Sequence, residues 1–410
     1  MRIAFFSNYL NHHQLPFCIE MVKLLEGDFT FIACDEIPDF RMKLGYEDMN
    51  SKYDFVLKTY ENEENEKKAM KLADECDFII FGAAPVKYIR LREKAGKPSF
   101  IYSERLFKPN ENKLMIKTYL AYLKSYLFRK KNNVYILCAS QYTSNDFRMI
   151  GAYWGRYYQW GYFPRDYTYD IAALMQRKRA QSKPVILWAG RIIPYKNPGI
   201  AVKTADYLSQ NGIDFEMRII GDGEIRQETE TMIHAYGLED KVHLMGSMPP
   251  DSVRRNMEEA SVFLFTSDYS EGWGAVLNES MNSGCAVVVS HAVGSAGFLV
   301  KNGVNGIIYP FGDQEAVNYW TKLLICDNSF REKLGKNAYR TIHESWNARQ
   351  SAVRILALCD RIRNHQSSDF YTSGPCSPAE HYGNHQYRKR VQSDLSKMKK
   401  QYEDDHGNKE

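Results

Sequence analysis

The sequence contains no apolar run near the ~20 residues that a membrane-spanning helix needs, and it passes directly from Met1-Arg2 into the short run Ile3-Ala4-Phe5-Phe6. Neither a span nor a secretory leader is expected. There is no C-x-x-C pair. The eight cysteines, at positions 18, 34, 76, 138, 285, 326, 359 and 376, are scattered and mostly sit in apolar stretches. That argues against a zinc site and for reduced thiols in a cytoplasmic protein. The chain also lacks a strong charge of either sign: its net +4 is too small to suggest nucleic acid as a partner, so any basic surface must be local. No fixed-period repeat points to a solenoid. What remains is an ordinary globular composition, 44% hydrophobic and 25% charged, in 410 residues, a length suited to two domains and a tail.

Runs of strand character alternate with helical periodicity from the start: Ile3 to Phe6, Gln14 to Leu25, Phe29 to Ala33, Phe55 to Leu57, Glu61 to Glu75, Phe78 to Phe81, Pro98 to Tyr102. Such alternation implies βαβ units around a parallel sheet, an α/β fold whose ligands bind at the carboxyl ends of the strands. The loops after the strands are therefore where chemistry is sought.

The most informative of these loops is in Thr266 to Cys285, TSDYSEGWGAVLNESMNSGC, which follows the buried run Val262 to Phe265 and leads into a helical pattern. A helix N-terminus there suits an anion. Glu271 in the loop and Glu279 in the helix would repel a phosphate but accept hydrogen bonds from hydroxyls, so the ligand is expected to be part phosphate and part polyol, as a nucleotide sugar is. Glu271-Gly272-Trp273-Gly274 followed by Asn278-Glu279-Ser280 resembles the E-x7-E signature of the family 4 retaining glycosyltransferases, with Trp273 and Ser280 at positions where that family usually has Phe and Ala. Gly284 to Val289, and Asn305-Gly306 leading to Pro310 and Gly312-Asp313, are similar to the segments that follow in the family. The likeness is good from Pro184 to Trp346 and loose before that.

The resemblance implies two Rossmann-like domains facing each other across a cleft, the GT-B type. The expected boundaries are 1–163 for the acceptor domain, 164–345 for the nucleotide-sugar domain and 346–365 for a helix crossing back to the first domain. Gly and Pro in Trp160-Gly161-Tyr162-Phe163-Pro164 mark the linker. Beyond Gln366 the composition turns to Ser, Gly, Asn, His and charge, and 366–410 is expected to be disordered, although Val391, Leu395, Met398 and Tyr402 recur at helical spacing.

The remaining candidates fall in order. Gly190-Arg191 and Lys196 follow the strand Val185 to Ala189. A planar guanidinium fork and a point charge together suit a diphosphate, and the element looks like the family's G-R-x4-K, whose Arg and Lys hold the donor pyrophosphate. Gly221-Asp222-Gly223 resembles the family's turn beside the nucleotide. The resemblance gives donor contacts to Gly190, Arg191, Lys196, Gly221, Gly223, Glu271, Gly272, Trp273, Gly274 and Glu279, with Glu271 on the sugar hydroxyls and Glu279 on the ribose. In the first half, His12 beside His13 reads as a contact to the acceptor or departing phosphate, or as a helix cap. Glu104 reads as a group positioning or deprotonating an acceptor hydroxyl, or as an ion-pair partner of Arg105. No D-x-D motif, the arrangement by which metal-dependent sugar transferases hold a cation, is present, so neither metal nor cofactor beyond the donor is expected.

Lys113 to Lys131 is a basic, aromatic, amphipathic pattern with Ile116, Leu120, Leu123 and Leu127 on one face. It reads as an element for an anionic membrane surface, or as a plain helix with solvated lysines. With a lipid-linked glycan as acceptor, the setting would be polysaccharide assembly on the inner face of the cell membrane. Two other functions fit the same motifs: a sugar-nucleotide epimerase, and a non-catalytic nucleotide-sugar-binding subunit.

Overall fold

A computed structural model describes residues 1–38, 47–108, 120, 133–153 and 155–406. The chain forms two compact units, one of 1–165 with 346–381 and the other of 166–345 with 382–410.

The first unit is built on a seven-stranded sheet of β1 (Ile3–Ser7), β2 (Phe29–Ala33), β3 (Val56–Lys58), β4 (Phe78–Phe81), β5 (Ser99–Ser103), β6 (Val134–Cys138) and β7 (Tyr157–Gln159), in the order β3-β2-β1-β4-β5-β6-β7. Every pairing is parallel. A parallel sheet is covered on both faces, which is why β1 and β4 are buried at every position and read as continuous apolar runs. Successive side chains point to opposite faces. Ala4 and Phe6 join Ala69, Leu72 and Ala73 of the helix Glu63–Glu75 and Tyr88 of the helix Val86–Ala95. Phe5 turns the other way, edge-on to Phe17 of the helix Leu15–Leu25 and to Phe31. That helix carries the helix Ala348–Arg363 against it, with Arg349 bonded to Glu20 at 3.1 Å.

The second unit has a six-stranded parallel sheet of β8 (Val185–Ala189), β9 (Glu216–Ile220), β10 (Val242–Gly246), β11 (Val262–Phe265), β12 (Ala286–Ser290) and β13 (Ile307–Tyr309), in the order β10-β9-β8-β11-β12-β13. The order reverses between β8 and β11. Their carboxyl ends are therefore neighbours, at the kind of switch point where open α/β sheets bind ligands. The equivalent reversal in the first unit is between β1 and β4.

The expected disorder beyond Gln366 does not hold. Residues 374–379 run along the outer edge of the first sheet, where Gln159 N–H donates to Ser377 O at 2.7 Å and Cys376 N–H to Gln159 O at 2.8 Å. The chain then returns to the second unit as the helix Asn384–His406, beside the edge strand β13. Tyr387, Val391 and Leu395 are buried, and Tyr402 donates to Asp327 Oδ2 at 2.8 Å. A sparse apolar stripe is enough for a helix that lies against an existing edge and needs no core of its own. The basic segment Lys113 to Lys131 lies outside the described residues, Leu120 excepted. Among the described residues, no helix is long and apolar enough to cross a membrane.

Candidate functional site

The two loops at the reversal of the second sheet are bound to each other by backbone and side chain. Asp268 N–H donates to Tyr195 O at 2.8 Å, and Thr266 Oγ1 donates to Lys196 O at 2.7 Å while receiving Trp188 Nε1–H at 2.9 Å. This lacing puts Lys196 Nζ on Glu271 Oε2, which also receives Ser267 Oγ at 2.9 Å. The ammonium sits 5.5 Å from the ring centres of Tyr195 and Phe265. Both charged side chains are largely enclosed, at 13% and 10% exposure. At such burial each depends on the other.

The glycines are where backbones meet. A Cβ on Gly221 would lie 1.8 Å from Gly190 O, and one on Gly223 2.3 Å from Ile192 O, so the Gly221-Asp222-Gly223 turn packs directly on the Gly190-Arg191-Ile192 loop. Ile192 N–H donates to Asp222 O at 2.8 Å across that contact. Gly274, at φ +82°, sits on the Phe265 ring, where a Cβ would come within 2.7 Å. Arg191 is exposed and donates through Nη2 to Tyr195 Oη at 3.2 Å.

Gly272 to Gly274 lead into the helix Val276–Asn282, which starts just after them. Glu279 lies on that helix, half-buried, and burial raises its carboxyl pKa against the opposing pull of Arg254. Arg254 Nη1 is bonded to Glu279 O, Asn282 Oδ1 and Ser283 Oγ, so it caps the end of the helix and holds no carboxylate there. The Trp273 ring is fully buried, with Nε1 donating to Asn278 Oδ1 at 2.7 Å and the carbonyl receiving Ser295 N–H at 3.2 Å.

In the first unit, the structure gathers the other two candidates at the carboxyl ends of β1 and β5. Glu104 accepts from Tyr162 Oη at 2.7 Å and faces Lys108 at 3.5 Å. The Tyr162 ring is stacked on His13, with centres 5.6 Å apart and planes 2° from parallel, and His13 touches His12 at 3.7 Å. Of the two readings of Glu104, the ion pair with Arg105 is not formed among the described residues: Arg105 goes to Asp146 at 3.8 Å and over the Tyr142 ring. Asp146, held by Leu106 N–H and Phe107 N–H, is pushed up to about 6 by burial despite the Arg105 charge. Among the described residues, no group of three or more His, Cys, Asp or Glu is gathered for a metal ion.

The motifs did not signal Asp268, Tyr269 or His291. The Asp268 side chain takes Ser270 N–H at 2.7 Å and turns the loop toward Glu271. His291 is buried just past β12, its Nε2 2.7 Å from Tyr269 Oη. A histidine directly after the buried strand Ala286–Ser290 was a visible hint.

The sequence from Ile171 to Thr341 matches the family model of glycosyl transferases group 1. That stretch contains every donor-side candidate named above. The chain is 30% identical over 168 residues to an alpha-D-kanosaminyltransferase of Streptomyces kanamyceticus, covering 41% of this chain and 43% of that protein. It is 29% identical over 159 residues to the GalNAc-alpha-(1->4)-GalNAc-alpha-(1->3)-diNAcBac-PP-undecaprenol alpha-1,4-N-acetyl-D-galactosaminyltransferase of Campylobacter jejuni, covering 38% and 43%. The chain thus spans less than half the length of these curated relatives. Its fold matches that of Anabaena Alr3699/HepE, solved in complex with UDP, with a TM-score of 0.63 at 17% identity, over 87% of this chain and all of that one. Both parallel sheets are those of the GT-B fold.

Proposed function

We propose that the protein transfers a hexosyl group from a UDP- or GDP-sugar to a hydroxyl acceptor with retention of anomeric configuration and without a metal. The observation that carries this reading is the Lys196 to Glu271 pair at the reversal of the second sheet, one cation and one carboxylate held where a sugar diphosphate would bridge them. As the bond from the anomeric carbon to phosphate breaks, negative charge grows on the diphosphate. Arg191, Lys196 and the N–H groups of Gly272 to Gly274 stabilise it, each good donor contributing about 2.7–4 kcal/mol at the transition state. Glu271 holds the sugar hydroxyls and Glu279 the ribose. No carboxylate is assigned as a nucleophile: the acceptor oxygen attacks from the face the diphosphate leaves, and its proton passes to the leaving phosphate oxygen. Glu104 and His12 belong to acceptor binding.

The Campylobacter relative is named for an undecaprenol-diphosphate-linked glycan, which supports a lipid-linked glycan acceptor in surface polysaccharide synthesis here. The basic segment 113–131 would then bring the enzyme to the inner face of the membrane. Pelleting with anionic liposomes checks this: binding that ignores neutralisation of Lys113, Lys117 and Lys124 removes the membrane role. The central test is a panel of nucleotide sugars with proton NMR of the products. Free nucleoside diphosphate with a new α- or β-glycoside matching the donor supports retaining transfer, whereas an isomerised nucleotide sugar would establish an epimerase and no conversion a binding subunit.

A further inference from the structure

The second unit carries a cleft of about 580 Å³ that contains none of the donor-side candidates. It lies between the end of the helix Ile171–Arg179 and the outer face of the helix Asn328–Glu344, lined by Arg179, Ser329, Glu332, Lys333, Lys336 and Arg340. The periodicity of the second helix divides its residues between core and cleft: Leu334, Ala338 and Ile342 are buried, whereas Lys333 and Arg340 are exposed. A smaller pocket shares Arg179 and Glu332 with the cleft and is lined also by Ser261, the residue before β11. The donor loop leaves the other end of that four-residue strand, about 13 Å away. One ligand at the carboxyl ends of the strands therefore cannot fill both places.

Charge in the cleft is one-sided. Glu332 is the single carboxylate among its lining residues, and it is taken twice, by Arg179 Nε at 2.6 Å and by Lys336 Nζ at 3.5 Å. Lys333 and Arg340 have no carboxylate partner among the described residues. Arg331, buried on the side of the smaller pocket, spends its Nη1 hydrogens on the carbonyls of Leu324 and Ile325 at 2.7 and 2.9 Å. Lys333 to Lys336 and Lys336 to Arg340 are three and four positions apart, the spacings at which like charges on a helix repel and weaken it. A bound anion would reverse that effect. From Lys333 to Arg340 the helix rises about 10 Å, a span suited to two phosphate groups, with a guanidinium fork at one end and an ammonium at the other. Ser261 is 3% exposed, and its hydroxyl has no hydrogen-bond partner among the described residues. A buried hydroxyl in that condition is satisfied by an oxygen entering the pocket it lines, from water or from a ligand.

We infer that this cleft is a second anion site, separate from the donor loops, for a ligand carrying two or more phosphate groups. The assignment does not depend on the sugar-transfer reading.

The test is calorimetric titration of the full chain with sodium tripolyphosphate at low ionic strength. Lys333→Gln/Arg340→Gln, which alters two exposed positions, melts no lower than the wild type and weakens the cleft's binding step at least about tenfold. Lys203→Gln/Lys301→Gln removes the same charge from exposed positions elsewhere on the unit and binds like the wild type. Any step at the donor loops is common to all three proteins. Vesicles of phosphatidylcholine with and without phosphatidylglycerol identify the source of the phosphates. Pelleting that requires phosphatidylglycerol and falls only in Lys333→Gln/Arg340→Gln assigns the site to lipid headgroups, and pelleting equal in the two variants assigns it to a soluble phosphate compound. A wild type with no binding step beyond that of Lys333→Gln/Arg340→Gln, or an equal loss in Lys203→Gln/Lys301→Gln, overturns the assignment and leaves sugar transfer standing.

Discussion

Lys196→Ala separates two jobs of one side chain, because the structure makes the ammonium both the counter-ion of Glu271 and the cation offered to the leaving diphosphate. At 10% exposure, Glu271 would keep only Ser267 as a described partner once the ammonium is gone. Removing one member of an enclosed pair costs about 3 kcal/mol, the low end of the buried range because both groups retain some solvent. For a domain of this size, that corresponds to a fall in Tm of roughly 6–12 °C. Loss of a preorganised cation should lower kcat about 10²- to 10³-fold. The two effects part in the double variant Lys196→Ala/Glu271→Gln. Without a stranded carboxylate, it recovers most of the Tm while transfer stays as slow as in the single variant. Calorimetric melting and initial rates of nucleoside diphosphate release measure both. A single variant turning over within threefold of the wild type, or a double variant that melts as low as the single, contradicts the reasoning.

Glu279 has a folded pKa raised above its ordinary 4.5, so its contribution to stability is present while it is protonated and is lost as pH rises through the folded value. Glu279→Gln should therefore raise Tm more at pH ~8 than at pH ~4 while weakening nucleotide binding, and a Tm change independent of pH would contradict the burial argument. Gly221→Ala, whose methyl would fall on Gly190 O, should cost the second unit several kcal/mol, visible as a large fall in melting temperature. Leu395→Ala in the terminal helix should destabilise by about 2–4 kcal/mol and expose 384–406 to limited proteolysis; a wild-type digestion pattern would mean that the helix does not pack on the unit.

Most of the strands were legible because a parallel strand buried on both faces is a bare apolar run, as Val287-Val288-Val289 is, and the loops after β8 and β11 could be found from their glycines and charges. Their mutual geometry could not. Lys196 and Glu271 are 75 positions apart and meet only because β8 and β11 are adjacent where the strand order reverses. Trp273, inside the same motif, turns its large ring into the core, where burying it is favourable and its indole N–H finds Asn278. His291 accepts the backbone N–H of Phe311, twenty positions away. The tail was misjudged because its composition suits a disordered chain, whereas its few apolar residues suffice against a sheet edge already made by others.

The path of the chain between the units bears on how a ribosome delivers it. The strip at 374–379 that closes β7, the last strand of the first sheet, is made only after roughly 200 further residues have been synthesised, which at ordinary translation rates takes roughly ten to forty seconds. Throughout that interval, a strand with unpaired amides stands open beside nascent strands of a second sheet. The growing polypeptide therefore has a built-in period of vulnerability to wrong pairing, and holding chaperones would act on it then.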